Sequence, residues 1–189
     1  MYAKKSYGQH FLNRLEIAED IANGLTRTDE TQRVLEVGPG QGMLTQFLLK
    51  KDYQLVAVEA DKDMVDVLEK KFSKLVSFKT AETTAKNRIL FEDFMKVDLA
   101  TVFDNQTFCL IGNFPYNISS QILFKMIDNR TLIPEMVGMF QLEVADRVIA
   151  KPGGKEFGIL SLLIQAFYDC KKLFNVDKSC LLSEIKASK

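Results

Sequence analysis

A short apolar run in this chain ends in three glycines at alternate positions, Val34-Leu-Glu-Val-Gly-Pro-Gly-Gln-Gly42. Glycine lets the backbone turn sharply and approach a ligand with no Cβ in the way. An apolar helical run, Leu44 to Lys50, follows and would offer its unpaired N–H groups to whatever sits in the turn. Strand, glycine turn and helix in that order open an α/β unit, and the rest of the chain continues the pattern. Strands are predicted at Val34 to Val37, Leu55 to Val58, Ile89 to Phe91, Phe108 to Ile111, Val137 to Phe140 and Tyr168 to Phe174. Helices are predicted from Asn13 to about Leu25, then at Leu44 to Lys50, Met64 to Phe72, Ser119 to Ile127, Leu142 to Ile149 and Gly158 to Ala166. This alternation predicts an α/β domain with a mostly parallel sheet flanked by helices. Such sheets bind ligands at the carboxyl ends of their strands.

The 189 residues suffice for one compact domain, and 47% of them are apolar, which excludes a disordered chain. No run of eighteen apolar residues appears, so no membrane-spanning helix is expected. The opening MYAKKSYGQHFL is polar and lacks the apolar stretch of a signal peptide. Cys109, Cys170 and Cys180 have neither metal nor redox spacing, and their odd number argues against a disulfide framework. A cytoplasmic location is therefore expected. The 25 basic and 25 acidic residues cancel, which speaks against a surface that is wholly a nucleic-acid clamp. Lys4, Lys5 and Arg14 precede the first acidic residue, Glu16, but charge alone reads as a solvated terminus. Lys79 to Arg88 (KTAETTAKNR) reads as a surface loop or helix extension, and Lys151 to Gly154 (KPGG) as a turn.

The glycine turn differs from a dinucleotide fingerprint, G-x-G-x-x-G, in having Met43 at the third glycine position. Its G-x-G-x-G form, with Gly38, Gly40 and Gly42 behind Glu36, suits a nucleoside carrying an amino acid better than a pyrophosphate. Glu59 ends the second strand about twenty residues on, where a carboxylate can accept from both hydroxyls of a ribose. Asp61 is a rival for that role. Asp93, after the third strand, can accept from the amino group of a cofactor's adenine. Glu92 is its neighbour, and a helix-cap role for Asp93 is the alternative.

Gly112 to Ser120 (GNFPYNISS) lies between a buried strand and a helix. An Asn, a proline-fixed turn and an aromatic residue together make a pocket for a planar amine. The amino lone pair of adenine is delocalised into the ring and is a poor nucleophile. Acceptors that hold both amino hydrogens localise it, and the Asn113 side chain and the Phe114 carbonyl can be those acceptors. Pro115 fixes φ and helps to aim that carbonyl, while Tyr116 can stack on the base. The lone His10 has no triad partner, and Phe11 and Leu12 can fold over a cofactor as part of a lid. An ordinary Asn-Pro turn is the simpler alternative for this segment.

The segments GQHFLN, LEVGPGQG, VEAD, GNFPYNISSQILFKM, QLEVADRV and KPGGKEFGILSLLIQAFY together resemble the KsgA-type ribosomal RNA small-subunit adenine dimethyltransferases. The resemblance runs from about Lys4 to Val176. It implies a class I (Rossmann-like) methyltransferase fold that uses S-adenosyl-L-methionine. It further implies dimethylation of two adjacent adenines near the 3′ end of small-subunit (16S) rRNA, tied to small-subunit assembly, with immature 30S particles as partner and the enzyme a monomer. Carried over by position, the cofactor contacts fall on His10, Leu12, Gly38, Gly40, Glu59, Asp93 and Asn113. Handling of the target adenine falls on Asn113, Phe114, Pro115 and Tyr116. Residues 1–176 are thus expected to form the catalytic domain, with 1–12 as an arm or lid. Two stretches depart from the family pattern. KTAETTAKNR is longer than the usual link before the third strand. The tail, residues 177–189, is expected to diverge: no closing antiparallel strand, an edge exposed beside Tyr168 to Phe174, and no C-terminal helical domain. Three alternatives compete: a large-subunit rRNA adenine methylase, a non-catalytic assembly factor with the same fold, and an NAD oxidoreductase. The last is disfavoured by Met43 and by the lack of a hydride-transfer residue.

Overall fold

Val34, Leu35 and Val37 are all buried, so the strand before the glycines is covered on both faces. A strand of that kind belongs in the middle of a parallel sheet with helices on either side. The computed structural model of the chain, which describes residues 15–77, 86–176 and 180–187, places it there. The strand is β1 (Arg33–Val37), followed by β2 (Gln54–Glu59), β3 (Val76–Ser77), β4 (Arg88–Phe91), β5 (Cys109–Asn113), β6 (Glu135–Phe140), β7 (Tyr168–Val176) and β8 (Cys180–Ala187). They form one eight-stranded sheet in the order β3-β4-β2-β1-β5-β6-β8-β7. All pairings are parallel except those of β8, which runs antiparallel to β6 and β7.

The helices are α1 (Leu15–Asn23), α2 (Thr28–Thr31), α3 (Thr45–Leu48), α4 (Lys62–Lys71), α5 (Leu99–Val102), α6 (Ser119–Asp128), α7 (Leu142–Ile149) and α8 (Ile159–Gln165). Alternate side chains of each strand enter one of two cores. Val34, Leu55, Ile89, Cys109 and Ile111 meet α1, α3 and α4 on one face. Leu35, Val37, Val58, Leu110 and Met136 meet α5, α6, α7 and α8 on the other. Burial on both faces is why the strands read as unbroken apolar runs. The chain moves outward from β1 through β2 and then returns to the far side of β1 at β5. The crevice at that reversal, beyond the carboxyl ends of the strands, is where such sheets take ligands.

Two expectations are corrected. The tail does form the closing antiparallel strand: β8 pairs with β6 in register from Glu135 opposite Lys186 to Phe140 opposite Leu181. The physical reason is the unpaired edge of β6, a strand buried along its whole length, whose open N–H and C=O groups need a partner. Ile185 enters the core, and β7 becomes the outer strand. Arg88 is the second correction. It closes the polar stretch read as a surface loop, yet it begins β4, is buried, and donates from Nη2 to the Val102 carbonyl at 3.1 Å. Asn87 just before it takes the Leu55 N–H on its side-chain oxygen at 3.0 Å.

Candidate active site

The carboxyl ends of β1, β2 and β4 and the segment after β5 enclose a cleft of about 640 Å³. Gly38, Glu59, Asp93 and Pro115 all line it, together with Glu92, Phe94, Lys96, Asn117 and Ile118. Glu59 is only 2% exposed. One of its oxygens accepts the Gly40 N–H at 2.9 Å and the other the Asp61 N–H at 2.9 Å. A carboxylate has about four lone-pair sites, so each oxygen keeps acceptor capacity toward the cleft. Burial raises its pKa, and the backbone N–H bonds act against that shift. Asp61, the rival candidate, is committed elsewhere: its side chain caps α4 by accepting the Asp63 N–H at 2.9 Å. Gly40 is held at positive φ (56°), with its N–H aimed at Glu59, so the glycine turn and the acidic strand end are one unit. Gly38, at φ 65°, has open space where a side chain would stand. A ligand can therefore approach the backbone there.

Behind this turn lies Glu36, which is 1% exposed. Thr45 of α3 donates to its Oε1 at 3.0 Å, and its buried Oε2 has no hydrogen-bond partner. Burial pushes its pKa up to about 8, and the charge of Glu59 adds to the shift.

Asp93 takes the capping role and still borders the cleft. Its Oδ1 accepts the Met95 N–H at 2.9 Å and caps the 3₁₀ turn Phe94–Lys96, while the residue itself lines the cleft. Glu92 accepts the Asp93 N–H at 2.8 Å.

Asn113 ends β5, half-buried, and the chain leaves the sheet there. Phe114 anchors the exit. Its N–H bonds to the Met139 carbonyl at 3.2 Å, and its ring is buried against Phe140 with centroids 4.9 Å apart. The ring lies over Gly138 of β6, where an added Cβ would sit 1.9 Å from Phe114 Cε2. Pro115 takes φ −59°, and its carbonyl accepts from the Ile118 N–H and from Ser119 Oγ at 3.0 Å. Tyr116 starts the next 3₁₀ turn, half-buried. The segment is therefore a fixed bracket between β5 and α6. His10 and Leu12 lie outside the described residues, as do Lys4, Lys5 and Arg14.

Residues 1–185 match the ribosomal RNA adenine dimethylase family. The chain belongs to that family. Its match runs to residue 185, inside β8. A curated relative, ribosomal RNA small subunit methyltransferase A of Cytophaga hutchinsonii, is 50% identical over 175 residues. That alignment takes in 92% of this chain and 64% of the relative, so the chain spans about two thirds of the relative's length. Among solved structures, a dimethyladenosine transferase from Plasmodium falciparum superposes with a TM-score of 0.72 at 24% identity over 95% of this chain and 64% of that one. The 23S rRNA methyltransferase ErmE gives 0.74 at 20% over 95% and 70%. At those identities the likeness establishes the fold, which is that of class I methyltransferases.

Within this dimethylase fold, several residues of the site were not legible from sequence. Gly138 carries a signal in hindsight, since a glycine inside a strand marks a close approach. Thr45, under Glu36, carries none, because a hydroxyl on a helix reads as ordinary surface. Among the described residues, no helix is long and apolar enough to cross a membrane.

Proposed function

We propose that this chain carries the catalytic site of an S-adenosylmethionine-dependent rRNA adenine dimethyltransferase. Its substrate is the exocyclic N6 of two adjacent adenines near the 3′ end of small-subunit (16S) rRNA in immature 30S particles. It acts in the cytoplasm as a monomer. The observation that carries this reading is that Pro115, inside the Asn113–Tyr116 bracket, lines the same cleft as Glu59, which is tied to the glycine turn. The name and 50% identity of the Cytophaga relative support the small-subunit rather than the large-subunit substrate.

The residues fit the cofactor. Glu59 is buried, preorganised by two N–H bonds, and able to accept from two ribose hydroxyls. Asp93 faces the same cleft and suits the amino group of the cofactor's base. The open space over Gly38 suits the amino-acid end. When bound, S-adenosylmethionine supplies a methyl group on a sulfonium that is already a good leaving group. The remaining work of the protein is positioning. A target adenine must be flipped out of the RNA to reach the bracket. There Asn113 and the Phe114 carbonyl hold its two amino hydrogens, localising the lone pair on nitrogen, and Tyr116 stacks on the ring. The alkylated amine loses its proton readily, so no strong base is required.

Methyl transfer from labelled cofactor to purified immature small subunits, with large subunits in parallel, tests the reading. Asn113→Ala is expected to abolish most transfer at an unchanged melting temperature, and Tyr116→Ala to weaken capture of the base by about 1–3 kcal/mol. Parental rates for Asn113→Ala, or preferential labelling of large subunits, would refute it.

A further inference from the structure

The turn that presents Asp93 is held from two sides. On the N-terminal side Asp93 itself caps it. On the other side the Lys125 ammonium, from α6, donates to the Met95 carbonyl at 3.0 Å and the Val97 carbonyl at 2.7 Å. The same ammonium lies 5.2 Å from the centroid of the Phe94 ring. A lysine on a helix surface ordinarily keeps its head in water. This one is half-buried and spends two of its three donors on two carbonyls, two residues apart, of one loop. Burial lowers its pKa, and the carboxylates of Asp93 and Asp98 act against that shift.

The helix that carries Lys125 is the one the acceptor bracket feeds into. Its first residue, Ser119, bonds back to the Pro115 carbonyl at 3.0 Å. Six residues, about 9 Å of helix at the usual rise, separate the bracket's anchor from the ammonium that grips the Asp93 turn. Asp93, Phe94, Pro115 and Ile118 all line the same cleft, so α6 ties together two of its walls. We infer that Lys125 is a positioning residue: it fixes the Phe94–Val97 turn against α6 so that Asp93 is presented to the amino group of the cofactor's base. The inference rests on the cofactor reading above, and it adds a residue that fixes which base the cleft accepts.

The test compares two ligands differing only at the base, S-adenosylhomocysteine and S-inosylhomocysteine, the second carrying a carbonyl in place of the amino group. Calorimetry gives both dissociation constants for the parent chain, Lys125→Met and Lys125→Arg. Methionine keeps an apolar stem near Phe94 and removes the donors. Lys125→Met is expected to weaken S-adenosylhomocysteine by about tenfold, consistent with the cost of small misplacements in a site. It should leave S-inosylhomocysteine nearly unchanged, so that the discrimination between the two collapses, and Lys125→Arg should restore most of it. Equal weakening of both ligands, or none, overturns the inference, since a merely structural lysine would leave the ratio intact. A parent that binds no S-adenosylhomocysteine overturns the cofactor reading as well. A parent that binds, with an unchanged ratio in Lys125→Met, overturns this inference alone. If Lys125→Met does not fold, the parent decides by NMR. The Lys125 ammonium resonance should shift more with S-adenosylhomocysteine than with its inosine counterpart, and equal shifts or none overturn the inference.

Discussion

Glu59 and Glu36 lie on neighbouring strands behind one glycine turn, yet their surroundings give them opposite tasks. Glu59 has two backbone N–H bonds and faces the cleft. Glu36 has one hydroxyl partner and an orphaned oxygen. Glu59→Ala removes the proposed acceptor of two ribose hydroxyls and is expected to cost about 1–3 kcal/mol of cofactor affinity. It also strands the Gly40 and Asp61 N–H groups, so the melting temperature falls too, and calorimetry must be run well below it. Undiminished affinity would remove Glu59 from the site. Glu36 predicts a pH dependence. Its pKa rises from 4.5 to about 8 on folding, so between those values the folded state binds the extra proton. Its contribution to stability is complete below the unfolded pKa and is lost as pH rises through 8, with a slope of at most about 1.4 kcal/mol per pH unit. Glu36→Gln, which cannot ionise, should flatten the fall in melting temperature between about pH 5 and pH 8, and an equally steep fall in that variant would assign the slope to other groups. The sequence pointed to Glu59 by its distance from the glycines. The state of Glu36 was hidden because it depends on Thr45 and on burial, which spacing does not report.

At the scale of elements, the acceptor bracket depends on a strand that contributes no side chain to the cleft. Phe114 is seated over Gly138 of β6, and the ring occupies the space a Cβ would need. Gly138→Ala must displace the ring or bend the strand, at a cost of about 1–3 kcal/mol for overpacking a tight core. The displaced ring carries the Phe114 carbonyl with it. Methyl transfer should therefore fall by far more than cofactor affinity, which the proposed reading builds on β1, β2 and β4. Equal loss of both in a folded variant would mean that the bracket and the cofactor cleft are not separable in this way. Most elements were legible because periodicity is strong where a strand is buried on both faces: α7 (Leu142–Ile149) lies where its pattern predicted, and the predicted strands are off by one or two residues. The misses have separate physical causes. The helices α2 and α5 have four residues each, too few for a period to show. The strand β8 was read as tail because its identity comes from the open edge of β6 rather than from its own sequence. Arg88 looked like loop because the stretch before it is polar, while its bond to the Val102 carbonyl joins residues far apart in sequence and leaves no local pattern.

At the scale of the whole molecule, the proposed function divides into binding of a small ligand and binding of RNA. All the described lining of the proposed cofactor cleft lies between Val37 and Ile118, at and just beyond the carboxyl ends of strands in the middle of the sheet. The closing strand is latched at its far end, where the Ala187 N–H bonds to the Pro134 carbonyl at 2.8 Å and Lys186 lies 4.0 Å from the buried Glu135. That carboxylate also accepts the Thr26 and Arg27 N–H groups, which ties the linker after α1 to the same corner. The frame around the cleft is thus fixed by residues present in this chain. RNA affinity has a different origin, since it scales with the number of phosphates that meet Lys or Arg. Here 25 basic residues are matched by 25 acidic ones, several basic side chains are already paired with carboxylates, and the chain spans 64% of the Cytophaga relative's length. This chain should therefore bind cofactor as tightly as that full-length relative does, while binding rRNA weakly and turning over little on small subunits. The weak binding should also depend less steeply on salt than the relative's, since the log-log slope is proportional to the number of phosphates engaged. Titrating both proteins with small-subunit RNA between 50 and 200 mM salt, roughly the range over which phosphate contacts lose most of their affinity, measures that slope. A matching slope and matching turnover would show that the residues described here suffice for RNA capture. A shallower slope with normal cofactor affinity would place most of the phosphate contacts in the third of the relative that this chain does not span.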